Sequence, residues 1–254
     1  MILSGFIVWA IAGSVFNDTF DRANQAYLEG QYDVAIAGYE QLVSEDVIDP
    51  VVFYNLGNAY LLTAQTGPAI ANYERALQED PGMTAARQNL QIALARLPRQ
   101  TAPPPVPDWH QAVLFWDKDL RPRTVVKLAV ISWLAFWSIM GFGVWRGFRK
   151  LRALLAVAAV AALFLCLSGW VKTHPFPVAV VNRATIAYSG MNVKAEERFA
   201  LSPGDRVHVD AIRDDWMRVT NPKDNIRGWA HGEDLTLIGP PYIRKKPDIA
   251  ETKM

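Results

Sequence analysis

The sequence predicts a multidomain membrane protein that combines all-α helical repeats, two transmembrane helices and a small all-β barrel. Three observations lead to this fold class. A repeated helical pattern occupies residues 18–97, two long apolar runs lie at 125–145 and 153–171, and short β-runs separated by turn residues fill 177–239. We therefore expect a repeat domain, a membrane hairpin and a β domain, in that order.

Residues 1–12 form a short apolar segment that is typical of a secretory signal. The run from Ile2 to Ala12 is too short for a transmembrane helix, and Ala10-Ile11-Ala12 has the small-x-small pattern of a cleavage site. No Lys or Arg precedes the run, so an uncleaved signal anchor stays open as the alternative. Either form places the following residues outside the cytoplasm.

Residues 50–81 match the 34-residue tetratricopeptide (TPR) pattern, in which each repeat is a pair of packed helices. Asp49 and Pro50 supply an N-cap and a first-turn proline, which predicts that a helix begins there. Gly57 is expected to let the second helix of the pair approach closely. The predicted packing positions of this repeat are Leu56, Gly57, Tyr60, Ala69, Tyr73, Ala76 and Pro81.

Weaker copies of the pattern lie on both sides of this repeat. Before it, small and aromatic residues recur at repeat spacing over 23–39. After it, Asn89-Leu90 repeats Asn55-Leu56, and Thr84–Leu97 is predicted to form a single capping helix. Stacked repeats need such caps, so we expect a short stack close to the minimum for stability.

Repeat stacks of this type present a concave groove that binds peptides. The candidate groove residues are Asn24, Tyr54, Asn55, Asn58 and position 92, which is Ile92 next to Gln91. Where carboxylate-binding TPR proteins have basic residues, this chain has Phe20, Ala85 and Asn89, so a receptor for a terminal carboxylate is not predicted. The alternative is that the asparagines only provide polarity on the helix surface.

The middle of the chain predicts membrane insertion. A proline-rich linker and an amphipathic segment (98–124) precede transmembrane helix 1 (125–145), a basic loop (146–152) and transmembrane helix 2 (153–171). The basic loop predicts that the loop is cytoplasmic and that both flanking domains are periplasmic. We therefore expect a bacterial inner-membrane protein with two spans that contacts membrane lipid.

Residues 177–239 change to strand periodicity. Five short strands are predicted, at Val178–Val181, Arg206–Ile212, Trp216–Thr220, Gly228–Ala230 and Leu235–Ile238, and a disordered tail is predicted at 240–254. The order of a turn, a strand with Trp216 and a Gly228-Trp229 strand resembles bacterial SH3-like domains. Tyr188, Trp216 and Trp229 are candidates for its ligand surface, and packing within the barrel is the alternative.

No pattern of catalytic or cofactor chemistry is present. The histidines and the one cysteine lack metal-ligand spacing, and there is no phosphate-binding glycine loop or nucleophile elbow. The 26 Lys and Arg balance the 25 Asp and Glu, which does not favour a nucleic-acid partner. We therefore expect a protein that is not an enzyme and holds no metal or cofactor.

The order of these segments, with "YNLGNAY", "AIANYERAL" and "ARQNL" in the repeats, resembles the BatE family of the Bacteroides aerotolerance cluster. The resemblance covers nearly the whole chain. It implies a scaffold that works with Bat proteins carrying von Willebrand factor A domains and with a MoxR-type ATPase, in envelope stress or aerotolerance. A cell-wall adapter that binds peptidoglycan through the SH3-like domain is the alternative.

Overall fold

The computed structural model describes residues 17–97, 120–146, 152–173, 177–221 and 224–239. The predicted signal segment (1–12) and C-terminal tail (240–254) lie outside the described residues, as do most of the linker (98–124) and of the basic loop (146–152). The described residues form two compact units. One contains the N-terminal helices and the C-terminal strands, and the other contains the two long helices together with residues 78–82.

Seven α-helices occur in the described residues. They are α1 (17–28), α2 (Tyr32–Ser44), α3 (Pro50–Leu62), α4 (Thr66–Glu79), α5 (Thr84–Ala95), α6 (Pro122–Arg146) and α7 (Arg152–Thr173). The predicted start of α3 is confirmed, because the Asp49 carboxylate accepts a hydrogen bond from Val51 N at 2.7 Å and Pro50 occupies the first turn. The cap and the proline thus fix where the central helix pair begins.

The close approach at Gly57 is also confirmed. A Cβ placed there would lie 2.8 Å from Cε1 of Tyr73, so only glycine lets the α4 tyrosine pack against α3 at this point. The other predicted packing residues lie in the interior of the helical layer, apart from the partly exposed turn residue Pro81. Buried residues of this set are Leu56, Tyr60, Ala69, Tyr73 and Ala76.

The C-terminal residues form one antiparallel sheet of seven strands. The strands are β1 (Val178–Val181), β2 (Thr185–Tyr188), β3 (Glu197–Leu201), β4 (Arg206–Arg213), β5 (Trp216–Thr220), β6 (Arg227–His231) and β7 (Leu235–Leu237). Their order across the sheet is β3-β2-β6-β5-β4-β1-β7. A 3₁₀ turn, Gly232–Asp234, joins the last two.

The five predicted strands are present, with ends that differ by at most a residue, but two strands were not predicted. The strand β3 begins with Glu197 and Arg198 and exposes most of its side chains at one edge of the sheet, so it lacks an apolar alternation. The strand β2 is short and follows β1 after three residues, so the sequence pattern does not show where one strand ends and the next begins. The predicted five-strand barrel is therefore corrected to a seven-stranded sheet.

Strand β1 joins the hydrophobic core of the helices to that of the sheet. Strand β1 is buried on both faces, since Val180 packs into the helical cluster whereas Ala179 and Val181 belong to the core of the sheet. Close backbone approaches seal this junction: a Cβ at Gly67 of α4 would lie 2.5 Å from the carbonyl oxygen of Val181. The N-terminal helices and C-terminal strands thus belong to a single packed unit, although more than 80 residues separate them in the sequence.

This arrangement corrects the predicted fold class. The described residues form a mixed structure of helices and one antiparallel sheet, rather than all-α repeats and an all-β barrel separated by two transmembrane helices. The repeat pattern did predict where the helices lie. It did not predict that their outer surface is covered by the sheet.

The predicted membrane spans are corrected as well. Among the described residues, no helix is both long and apolar enough to cross a membrane. The helix α6 carries Arg123 and Lys127 in its first two turns, whereas a span needs about 20 apolar residues. The two transmembrane helices (125–145 and 153–171) and the two-span inner-membrane location with periplasmic domains are thus contradicted, whereas the predicted contact with membrane lipid stays a prediction.

Candidate binding surfaces

A hydrogen-bond ladder of asparagines and tyrosines connects the helices of the repeat. The Asn24 side-chain oxygen accepts hydrogen bonds from the hydroxyl of Tyr39, at 2.6 Å, and from the amide of Asn55, at 3.1 Å. The same arrangement recurs one 34-residue repeat later. There Asn58 accepts from the hydroxyl of Tyr73, at 2.8 Å, and from the amide of Asn89, at 2.7 Å.

The tyrosines of the ladder are fully buried, and burial fixes their protonation. Burial raises the pKa of Tyr39 to about 12 and also raises the pKa of Tyr73. Both hydroxyls therefore stay protonated at neutral pH and remain donors to the asparagine oxygens. The ladder is thus a fixed feature that aligns α1, α3 and α5, the first helices of the successive repeats.

The structure brings four of the predicted groove residues together. Asn24, Asn55 and Asn58 belong to the ladder, and the hydroxyl of Tyr54 lies 3.4 Å from the amide of Asn89. The side-chain oxygens of Asn24 and Asn58 accept two bonds each within the ladder. These asparagines therefore have a structural role, and their role as ligand contacts stays a prediction.

Four exposed apolar side chains flank the ladder, and we call them the apolar strip. They are Leu28 (79% exposed), Val51 (43%), Leu62 (51%) and Ile92 (49%). Each lies three or four residues from a ladder asparagine on the same helix, so it shares that helix face. Leu28 and Leu62 occupy equivalent positions of successive repeats. The strip thus consists of exposed apolar side chains on three helices that the ladder connects.

A second surface is the outward face of the sheet, which carries the three predicted aromatic residues. Tyr188 pairs with Trp229 across β2 and β6, and the rings of Tyr188 and Trp216 meet edge to face at 6.1 Å. Trp216 also contacts the His231 ring at 5.4 Å. All these side chains are half-buried, so the structure places the predicted residues on one partly exposed aromatic face.

Charged groups adjoin this aromatic face. The Arg218 guanidinium lies 5.7 Å from the centre of the Trp229 ring, which suits a cation–π contact. Asp210 accepts a hydrogen bond from the hydroxyl of Thr220 at 2.8 Å and lies 3.3 Å from Nε of Arg227. The face thus presents aromatic rings beside fixed polar groups, a combination that favours polar ligands with an apolar side.

The junction between helices and sheet carries charges that the sequence did not single out. The buried Arg75 of α4 donates from Nε to the carbonyl oxygen of Leu237 at 2.7 Å and from Nη1 to Asn72 at 3.2 Å. The preceding residue, Glu74, forms an ion pair of 2.5 Å with Arg206 of β4. Arg75 and Glu74 come directly before Ala76, which is a packing position of the repeat. The repeat pattern contains no feature that would have predicted the contacts of these two charged residues with the sheet.

A cleft of about 420 Å³ opens beside this junction, between α2–α4 and the strands β5–β7. Its walls include Glu40 and Tyr60 from the helices and Glu233 and Thr236 from the sheet side. The Tyr60 hydroxyl donates to the Glu40 carboxylate. Burial and this carboxylate raise the pKa of Tyr60, so the hydroxyl remains a donor at neutral pH.

The described residues offer no metal centre, since no group of three His, Cys, Asp or Glu side chains among them is placed to hold an ion. Comparison with protein-family models and with curated proteins found no match to this chain. The function must therefore be argued from the surfaces themselves.

Proposed function

We propose that this chain is a non-enzymatic scaffold that binds another protein along its helical repeats. The apolar strip carries the proposal, because large apolar side chains that stay exposed on three helices joined by the ladder are costly to leave in water. The ladder beneath them holds the three helices in register. A rigid apolar surface of this kind suits a polypeptide segment that offers its own apolar side chains.

The resemblance to the BatE family suggests the partners. We propose that the strip binds a Bat-type protein with a von Willebrand factor A domain or a MoxR-type ATPase, in a complex linked to envelope or oxidative stress. The strip offers these partners exposed leucine, valine and isoleucine side chains, which suit a partner surface that is mainly apolar.

The test is a binding measurement with purified full-length chain and purified candidate partners. The double variant Leu28→Gln, Leu62→Gln removes apolar area from two repeats and should weaken binding at least tenfold. Val34→Gln is the matched control, since Val34 is similarly exposed but lies on α2, away from the strip. Equal affinity of the double variant and the control would contradict the proposal.

The aromatic face of the sheet favours a second function, the binding of peptidoglycan. Tyr188, Trp216 and Trp229 present partly exposed rings on one face, and aromatic rings suit the apolar faces of sugars and stem peptides. Cosedimentation of the full chain with purified cell wall tests this. Trp229→Ala should reduce binding, Ile212→Ala on β4 should not, and absence of binding by the unaltered chain would exclude this function.

A further inference from the structure

The cleft beside the helix–sheet junction has two carboxylates that form no ion pair within the described part of the chain. Glu40 stands on α2 and Glu233 in the 3₁₀ turn before β7, so the two acidic groups come from opposite walls. Within the described part of the chain, neither carboxylate has an Arg, Lys or His partner at ion-pair distance. Both are therefore available to a cation from outside.

One of these carboxylates is held in place. The Tyr60 hydroxyl donates to Oε1 of Glu40, and Tyr60 itself is 9% exposed, so a rigid core residue orients a carboxylate at the rim. A carboxylate oxygen can accept more than one hydrogen bond, so Glu40 keeps acceptor capacity for a ligand. A preorganised acceptor loses little freedom when a ligand binds.

Apolar side chains line the cleft between the two carboxylates. Val43 and Leu56 come from the helices, and Met217 and Leu235 come from the sheet. A cleft whose lining includes both apolar side chains and carboxylates complements a side chain with a hydrocarbon stem and a cationic end. The volume of about 420 Å³ is sufficient for one such side chain and falls within the range of small-ligand pockets.

The buried cation in the same cleft is directed elsewhere. Arg75 donates to the carbonyl oxygen of Leu237 and to Asn72, which are both parts of the protein. Its guanidinium thus stabilises the junction between helix and sheet. The bonded groups are neutral, so the lining holds two carboxylates and one guanidinium; its net charge of −1 (+1 − 2) favours a cationic ligand over an anionic one.

We propose that this cleft binds a basic side chain, a lysine ammonium or an arginine guanidinium on its aliphatic stem, presented by a protein partner. The stem packs against the apolar lining, and the cationic group donates to Glu40 and Glu233. This site is separate from the apolar strip, so it stands or fails independently of the scaffold function proposed above.

The experiment uses the full-length, ¹⁵N-labelled chain and four small probes. These are the N-acetyl, N′-methylamide derivatives of lysine, arginine, norleucine and glutamate. The amide signals of Leu235, Thr236 and Leu237 report on occupancy of the cleft. At least one basic probe should bind saturably, with at least tenfold higher affinity than the norleucine probe, which has a similar stem without the charge.

Variants then identify the recognising groups. Glu40→Gln and Glu233→Gln should each lower the affinity of the basic probe at least threefold, and the double variant should abolish saturable binding. Glu197→Gln, an exposed carboxylate on β3, is the matched control and should leave the affinity unchanged. Both target carboxylates are exposed, and an unchanged circular dichroism spectrum would confirm that the variants fold.

Three results would overturn the proposal. The first is absence of saturable binding by both basic probes. The second is equal affinity for the norleucine and lysine probes, or preference for the glutamate probe. A preference for the glutamate probe would mean that the Arg75 guanidinium determines which ligand the cleft binds. The third is unchanged affinity in the double variant, which would place the bound cation elsewhere.

Discussion

Arg75 on α4 donates from Nε to the carbonyl oxygen of Leu237 on β7 at 2.7 Å, and this bond joins residues that are 162 positions apart in the sequence. The guanidinium is 5% exposed and lies 5.7 Å from the centre of the Phe53 ring. One side chain of the helical repeat thus contacts the helical core and completes the hydrogen bonding of an edge strand. The junction between helices and sheet depends on this contact.

Replacement of this arginine should destabilise the folded chain. Arg75→Met keeps the apolar stem but removes every donor, which leaves the Leu237 carbonyl without this bond in the interior. We expect a loss of about 3 kcal/mol in the free energy of unfolding, measured by urea denaturation. Arg22→Met is the control: Arg22 forms an exposed pair with Asp18, so its loss should be below about 0.5 kcal/mol. Equal losses in both variants would show that the junction bond is not stabilising.

The asparagine ladder gives a second prediction. Asn58→Ala removes the acceptor of both Tyr73 and Asn89, and Tyr73 is fully buried, so its hydroxyl would lose its partner in the interior. The expected loss is about 2 kcal/mol in the free energy of unfolding. Gln88→Ala, at an exposed position of α5 next to the ladder, should change stability little. A small effect of Asn58→Ala would mean that water replaces the amide.

A third prediction concerns the turn before β4. Gly204 has a φ of +82°, and a Cβ there would lie 2.5 Å from Cδ1 of Leu97 and 3.2 Å from Cδ1 of Ile70. Gly204→Ala should therefore destabilise by about 2 kcal/mol, through the left-handed backbone and the steric clash.

A double-mutant cycle separates these two causes. Leu97→Ala clears the space in front of Gly204, so the further cost of Gly204→Ala should be smaller in that background. Gly82→Ala is the control, because the nearest atom to a Cβ there is Oδ1 of Asp80, at 3.4 Å. Strict additivity of the two substitutions would contradict the proposed contact between the turn and Leu97.

The sequence predicted local structure better than it predicted contacts between distant segments. The helices of the repeat follow from residues such as Gly57 and Tyr73, whose packing partners lie within one repeat. Strand β4 follows from apolar alternation at Val207, Val209 and Ala211 and from clear turn residues on both sides, whereas β3 begins with two charged residues at a sheet edge. Such an edge strand is defined by its neighbour rather than by its own pattern.

The same reasoning applies to the candidate sites. Tyr188, Trp216 and Trp229 could be predicted because aromatic residues in strands are conspicuous, and strand pairing then brings them to one face. Arg75 and Glu233 could not be assigned to one cleft, because charged residues on a helix or in a turn are usually solvated. Their proximity depends on how the sheet packs against α4, which no local pattern encodes.

The last prediction concerns the ion pair between Glu74 of α4 and Arg206 of β4. Burial raises the pKa of Glu74 to about 7, and this effect exceeds the opposing attraction of the Arg206 guanidinium. The folded chain therefore holds a proton on Glu74 that the unfolded chain releases above pH 4.5, the ordinary pKa of such a carboxyl group. Glu74 thus lowers the free energy of unfolding as the pH rises from about 4.5 to about 7, by up to about 1.4 kcal/mol per pH unit.

Urea denaturation across this pH range, on the unaltered chain and on Glu74→Gln, isolates the contribution of this carboxyl group. All other titrating groups are common to both proteins, so the difference between their free energies of unfolding reports on Glu74 alone. This difference should shift in favour of the glutamine variant as the pH rises from 5 to 7. It should be constant above about pH 8. Absence of any shift between pH 5 and 7 would mean that attraction by Arg206 outweighs burial and that Glu74 is ionised throughout this range.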